Sequence, residues 1–367
     1  MINHIDTPHG ELRVPAFFPD ATRGVARSLG GEDLAGCGIR GIMVNTFHLL
    51  THPGASVIAK HGGIHSFMNW ERPVSSDSGG FQVYSLLEQS PKSGSVSKKG
   101  FIYRSGKGGG KLVLTPEKSI QTQFRLQSDI LFCLDYCTHP DFPPEKQELS
   151  VALTVAWARQ CRETYDQLAE SKRLAADQRP LLFGIVQGGE NRELRKECAE
   201  RLCEIGFDGY GFGGWPIKKD GRLSDAVEQV AEFTPNALPK FALGIGKPEN
   251  VVQAFRLGYH IFDCVIPTRD ARHKRLYIFN SPPGESRFHN ADFYRNLYMQ
   301  DQEHRCDKKP VDETCDCLCC RNYSRAYLYH LFQIRDALAL RLASIHNVRF
   351  YQRMIEELSK SKEKESA

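Results

Sequence analysis

The sequence predicts an α/β fold: a (β/α)8 TIM barrel with insertions, followed by a carboxy-terminal helical zinc-binding subdomain. Three observations lead there. Eight short β-branched or aromatic runs recur over the first 280 residues with helical or loop segments between them, an alternation that favours a closed parallel barrel. No G-x-G-x-x-G follows the first run, and polar residues gather at many strand ends rather than at one switch point, which disfavours an open doubly wound sheet. Cysteines then crowd between Cys315 and Cys320, where the alternation has stopped.

Taken in order, strands are expected near Val14 to Pro19, Gly41 to Phe47, Pro73 to Asp77, Asp129 to Asp135, Leu181 to Gln187, Tyr210 to Gly214, Phe241 to Gly246 and His260 to Pro267. The clearest helices between them are Val151 to Leu174, Asn191 to Ile205 and Pro248 to Leu257. Ser90 to Gly110, rich in Ser, Gly and Lys, reads as an insertion with a hairpin around Phe101-Ile102-Tyr103. After Arg275 the pattern changes: Pro282-Pro283-Gly284 makes a turn, and Tyr323 to Leu358 reads as one or two long helices. This divides the chain into a catalytic barrel over 1–280, a helical subdomain over 281–358 packed on it, and a disordered tail over 359–367.

Composition narrows the function classes. At 367 residues and 41% hydrophobic the chain can bury a large core. No apolar stretch approaches the roughly 20 residues of a membrane helix, and Met1-Ile2-Asn3-His4-Ile5-Asp6 lacks the features of a signal peptide, so a cytoplasmic location is expected. A net charge of +4 is too mild to announce nucleic acid by itself, so a polyanion site must come from local clustering. The 12 cysteines are spread through a long enzyme-like chain rather than a small secreted one, which favours metal binding at the cluster over disulfides. Cys315, Cys317 and Cys320 have C-x-C-x-x-C spacing, and three thiolates with one imidazole make a closed, structural tetrahedral zinc set. His346 can supply the imidazole; His304, Cys306, Cys319 and His330 are rivals for the fourth position.

Two aspartates lie where a barrel enzyme keeps its chemistry. Asp77, in Ser75-Ser76-Asp77-Ser78-Gly79-Gly80-Phe81-Gln82, and Asp263, in Phe262-Asp263-Cys264-Val265-Ile266-Pro267-Thr268-Arg269, each stand at the end of an apolar run. Paired carboxylates suit acid/base and nucleophilic work on a sugar or phosphate ester. A barrel hydrolase with a catalytic metal is a rival, but no strand end carries an H-x-H pair.

Those two segments, with Gly184-Ile185-Val186-Gln187-Gly188-Gly189 and the Cys315, Cys317, Cys320 and His346 set, resemble the bacterial tRNA-guanine transglycosylases over nearly the whole chain and in the family's order. The resemblance implies a zinc-containing barrel, one structural Zn2+ per subunit held by Cys315, Cys317, Cys320 and His346. It implies exchange of the wobble guanine of G-U-N anticodon tRNAs for a 7-deazaguanine base in queuosine modification. Asp263 matches the nucleophile of the covalent intermediate and Asp77 the general acid/base, as in a retaining double displacement. Asp135 matches the acceptor for the guanine N1 and N2 hydrogens, and Gln187 and the Gly214 amide match the groups that address O6. Phe81 and Leu243 match positions that sandwich the base, where core packing is the alternative. Ser78 is matched as an aid to Asp77, and Cys137 lines the family's pocket. Arg269, Arg272, His273, Lys274 and Arg275 form the strongest basic cluster and are expected at the RNA, with Arg269 and Arg272 near the anticodon loop. A homodimer is also implied.

One stretch departs from the family's pattern. Where bacterial relatives have a Leu-(Ala/Ser)-Val-Gly-Glu-like run, this chain has Trp215-Pro216-Ile217-Lys218-Lys219. Lysine in place of a carboxylate disfavours a cationic aminomethyl substituent, which makes queuine the leading base and 7-aminomethyl-7-deazaguanine the second. A non-catalytic, zinc-bearing tRNA-binding partner subunit is the alternative function, against which both aspartates argue.

Overall fold

A computed structural model describes residues 2–104, 110–282, 284, 288 and 292–365, with the backbone alone for 361–365. All eight expected strands are present, most of them shorter than expected: β1 (Ala16–Pro19), β2 (Ile42–Val44), β3 (Val74–Ser76), β4 (Ile130–Phe132), β5 (Leu181–Val186), β6 (Gly209–Phe212), β7 (Lys240–Ala242) and β8 (Ile261–Cys264). They pair in parallel in the order β1-β8-β7-β6-β5-β4-β3-β2. A parallel bridge between Asp20 and Met43, with the Ala21 N–H donating to the Met43 carbonyl at 2.7 Å, joins β1 to β2 and closes the ring.

Alternation along each strand sets the two layers. Ala16, Phe18, Met43, Ile130, Phe132, Phe183, Ile185, Phe241 and Ile261 fill the interior. Their neighbours Phe17, Leu131, Leu182, Val186, Ala242 and Phe262 face the helices. The large interior rings need small partners: a Cβ on Gly41 would lie 2.2 Å from the Phe18 ring, and one on Gly209 2.4 Å from the Phe183 ring. An amino-terminal hairpin, His4–Thr7 against Gly10–Arg13, places Ile5 and Leu12 in the same interior cluster. The sequence gives that hairpin little signal, because its strands alternate polar with apolar over only four residues each.

The helices follow the strands as expected, with Pro144–Ser171, Arg192–Ile205 and Pro248–Arg256 the long ones anticipated from the pattern. The insertion is a three-stranded antiparallel sheet, Gly94–Ser97, Gly100–Arg104 and Lys111–Leu114; its residues 105–109 lie outside the described set. After β8 come the short helix Ile266–Arg272, a hairpin of Arg275–Phe279 with Tyr294–Tyr298, and the helices Leu318–Asn322, Arg325–Gln333 and Ala337–Glu365.

The last of these is more than an appendage. Ala337–Glu365 packs against β1, Gly31–Gly36, Pro248–Arg256 and Ile266–Arg272, the position of the barrel's eighth helix. The Tyr351 ring lies 4.6 Å from that of Phe17, and its hydroxyl donates to the Gly246 carbonyl at 2.6 Å. The helix continues to Glu365, through most of the segment expected as a tail; 366 and 367 are outside the described residues. Among the described residues no helix is long and apolar enough to cross a membrane.

Candidate active site

Strand register brings the chemistry to one rim. Asp263 pairs with Phe18 across β8 and β1, and Phe18 points into the barrel, so Asp263 points inward too. Met43 pairs with Ser75 and faces inward, so Asn45 and Asp77, two residues further along, project inward at the carboxyl ends of β2 and β3. This is the end of the barrel where such enzymes carry their active sites.

Asp77 is held from several sides. Its Oδ1 accepts from the backbone N–H groups of Thr46 at 2.9 Å and Gly79 at 3.0 Å, and its Oδ2 accepts from Asn45 Nδ2 at 2.6 Å. Gly79 takes φ of +78°, a left-handed turn that aims its N–H back at the carboxylate. Burial pushes the Asp77 carboxyl up to about 7, against the pull of the Thr46 and Gly79 hydrogen bonds, and the nearby Asp263 and Asp20 add to the rise. Asp263 is likewise raised to about 7, chiefly by burial. The Gly244 N–H donates to its Oδ1 at 3.0 Å and opposes the shift, while Asp20 adds to it. Two carboxyls near neutrality can share donor and nucleophile roles that two ordinary surface aspartates cannot.

A second cluster lies on β4, β5 and β6. Asp135 is buried; its Oδ2 accepts from Gln187 Nε2 at 2.6 Å and its Oδ1 from the Ser78 hydroxyl at 3.4 Å. Burial lifts its carboxyl to about 6, and Gln187 and Ser78 restrain the rise. Ser78 thus turns to Asp135 as well as to the Gly80 N–H at 3.2 Å, rather than to Asp77 as the resemblance implied. The Cys137 thiol is pushed up by burial, with Gln187 and the Gly214 N–H as its hydrogen-bonding neighbours. Glycine at 213 leaves room for the pocket side chains: a Cβ there would lie 2.5 Å from both Gln187 Nε2 and Ile185 Cγ2.

Arg195 was not singled out in the sequence, where it reads as one of several charges on an exposed helix. It is buried beneath the pocket, its Nη1 donating to the carbonyls of Val186 and Gly213, each at 2.8 Å, and its Nε to that of Gly189 at 2.9 Å. It thereby pins the loops after β5 and β6 that carry Gln187 and Gly214.

Phe81 and Trp215 stand exposed at 45% and 39% on the rim, too open to be core residues. Their ring centroids are 6.2 Å apart, and Trp215 continues to His139 at 5.0 Å. Leu243 is half-buried next to Gly211, the residue preceding Phe212 on β6. The loop lysines are both paired: Lys218 Nζ with Asp225 at 3.0 Å and Lys219 Nζ with Asp141 at 3.5 Å. Both ammonium groups are thus directed to carboxylates of this chain, in pairs that lie at the surface.

The basic cluster divides. Arg275 is tied to Asp270 at 3.2 Å with its guanidinium over the Tyr298 ring, and Arg269 lies 3.7 Å from the same carboxylate. Arg269 and His273 are exposed, and Lys274 takes φ of +65° at the turn into Arg275–Phe279. Arg272 is half-buried and neighbours Arg27 and Asp20.

The three cysteines that the spacing singled out are assembled with the histidine that the resemblance implied. The ligand atoms of Cys315, Cys317, Cys320 and His346 lie within 4.8 Å of one another, and all four residues are buried. His346 Nδ1 faces Cys320 Sγ at 3.2 Å and Cys317 Sγ at 3.8 Å, while its Nε2–H donates to the Tyr277 carbonyl at 2.7 Å. A carbonyl on the outer ring nitrogen fixes the tautomer that ligates through the other. Soft thiolates with one imidazole in a closed, buried set fit structural zinc. His304, Cys306, Cys319 and His330 stand outside it, Cys306 and His330 at the surface.

With this geometry in hand, comparison with known proteins gives a consistent result. The family model described as queuine tRNA-ribosyltransferase matches residues 2–365. Proteins named queuine tRNA-ribosyltransferase are 38% identical over 349 residues in Psychrobacter sp. (strain PRwf-1) and 40% identical over 354 residues in Idiomarina loihiensis, each alignment covering 95% of this chain and 86% of the relative. Another, in Thioalkalivibrio sulfidiphilus, is 40% identical over 352 residues, with 96% and 87% covered. The chain is therefore an enzyme of the queuine tRNA-ribosyltransferase family.

Proposed function

We propose that this enzyme exchanges the wobble guanine of tRNAs with G-U-N anticodons for a 7-deazaguanine base, with queuine preferred, through a covalent ester between Asp263 and the ribose. The observation that carries the reading is the pair of inward carboxyls, Asp77 and Asp263, both raised to about 7, on the rim that also holds Asp135 and Gln187. Asp263 attacks C1′ as the bond from C1′ to guanine N9 breaks, and Asp77 gives a proton to the departing base. The incoming base then loses its N9 proton to Asp77, attacks C1′ and releases Asp263, so configuration is retained.

Asp135 accepts from the N1 and N2 hydrogens of the base. Gln187 has two amide hydrogens, one for Asp135 and one for O6, and the Gly214 N–H is the second donor to O6. Phe81 and Leu243 sandwich the base. The support for queuine is the aromatic rim of Phe81, Trp215 and His139, which offers apolar surface to a carbocyclic substituent. Residues 213–219 contain no carboxylate to hold a small aminomethyl cation. Arg269, Arg272, His273, Lys274 and Arg275 belong to the tRNA phosphate contact, and a structural zinc at Cys315, Cys317, Cys320 and His346 supports the fold without entering the reaction. The homodimer implied by the resemblance belongs to the same proposal, and sedimentation of the purified protein checks it.

The test is base exchange into a G-U-N tRNA with guanine, 7-aminomethyl-7-deazaguanine and queuine offered separately. A higher kcat/KM for queuine is expected. Preference for the aminomethyl base would keep the reaction and overturn the role of the aromatic rim. No exchange with any base would favour a tRNA-binding partner subunit.

A further inference from the structure

We propose that Asp20 receives the ribose 2′-hydroxyl of the reacting nucleotide and makes the site selective for a ribonucleotide at the exchanged position. The inference rests on the base-exchange reading above. It begins with register. Phe18 pairs with Asp263 and points into the barrel, so Asp20, two residues further along the same run, projects inward one level above it. Asp20 also bridges to Met43, whose strand leads to Asn45, the donor to Asp77. Around the rim the inward groups of β8, β1, β2 and β3 therefore run Asp263, Asp20, Asn45, Asp77. Asp20 stands between the carboxylate that must reach C1′ and the one that must reach the base.

The sugar occupies that interval, because C1′ joins the two reacting partners and C2′ is bonded to C1′. A carboxylate there is placed to accept an O–H of the sugar. Such a bond strengthens as positive charge develops at C1′, since the neighbouring hydroxyl becomes a better donor. The side chain is half-buried and held in place, its Oδ1 accepting from the Thr22 hydroxyl at 2.5 Å. Burial raises its carboxyl, and Thr22, Arg27 and Arg272 oppose the rise, so two guanidinium groups suited to adjoining phosphates lie within electrostatic reach of it. A protein distinguishes RNA from DNA at one site through a contact of this kind.

The experiment compares two anticodon stem-loop RNAs, all-ribo or 2′-deoxy at the exchanged nucleotide, with wild type, Asp20→Asn and Asp20→Ala. Wild type is expected to lose about 10- to 100-fold in kcat/KM on the deoxy substrate, the scale of one charged hydrogen bond. In Asp20→Ala that ratio is expected to collapse toward one, with the loss appearing on the all-ribo substrate. Asp20→Asn keeps an acceptor oxygen and the Thr22 bond, so it is expected to fall between. A ratio in Asp20→Ala equal to that of wild type, or a wild type indifferent to the 2′-hydroxyl, would overturn the proposal. Should Asp20→Ala fail to fold by circular dichroism, the ratio in Asp20→Asn decides in the same way. Failure of wild type to exchange bases in the all-ribo substrate would instead overturn the underlying reading.

Discussion

Asp77 and Asp263 owe their raised proton affinity first to burial, and that single cause makes two separate expectations. In the proposed double displacement Asp263 must be ionised to attack and Asp77 protonated to donate, and both lie near 7. Exchange activity should therefore be bell-shaped around pH 7, with limbs that belong to the coupled pair rather than to either residue. Asp263→Asn is expected to abolish exchange while tRNA binding persists; measurable turnover in that variant would refute the nucleophile assignment. In stability the sign is the reverse of a salt-bridged carboxylate. An unfolded aspartate titrates near 3.9, so between about pH 4 and 7 the folded state binds more protons and stability falls as pH rises through that window. Asp263→Asn, which never ionises, should melt above wild type at pH 8, with the gap closing toward pH 4. A wild type that melts higher at pH 8 would mean that the ionised carboxylate is well solvated or paired.

At the scale of elements, the loops after β5 and β6 work as one unit because Arg195 joins their carbonyls from below. Arg195→Met would leave the buried Gly189 and Gly213 carbonyls without their donor, at about 1–3 kcal/mol for each such group and not additively, while the Val186 carbonyl keeps the Gly213 N–H at 3.0 Å. A lower melting temperature and a raised KM for the base are expected together. Gly213→Ala is more selective, since its added carbon strikes Gln187 and Ile185 rather than the loop anchors; it should raise the base KM with a smaller fall in melting temperature. Equal damage to both properties would show that Gln187 is not the group displaced. The difference between the two residues also explains what the sequence could and could not reveal. The β-strands were legible because a barrel strand is apolar on both faces, and Asp77, Asp135 and Asp263 were legible because they close such runs. Arg195 was not, because one guanidinium among the several charges of Arg192–Ile205 looks the same whether its partners are water or carbonyls. Asn45 was hidden inside an expected strand and is in fact the cap of Thr46–Thr51. Asp20 was missed because its inward direction depends on pairing with a strand some 245 residues later in the chain.

For the whole molecule the metal set ties the closing helix Ala337–Glu365 to the cysteine segment that precedes Arg325–Gln333. His346 reaches the thiolates from the closing helix, Asn347 beside it accepts from the Tyr277 N–H at 3.2 Å and donates to the Pro267 and Arg275 carbonyls at 3.0 and 2.9 Å, and Arg349 holds Asp316 at 2.7 Å. Metal removal should therefore lower the melting temperature and abolish activity only as fast as this region opens. Immediate loss of turnover on adding chelator, ahead of any change in circular dichroism, would point to a metal in the chemistry. Binding of tRNA should weaken steeply with salt through the phosphate contacts, whatever the metal content.

The position of Ala337–Glu365 has a consequence for how the protein is made. Most of a barrel can form pairwise as it leaves the ribosome, but here the β1 face that Tyr351 covers stays bare until Tyr351 itself has been translated, long after all eight strands. A nascent or truncated chain would expose that apolar seam to chaperones and proteases. The same helix carries His346, so the Cys315, Cys317, Cys320 and His346 set is complete only once that seam can be covered.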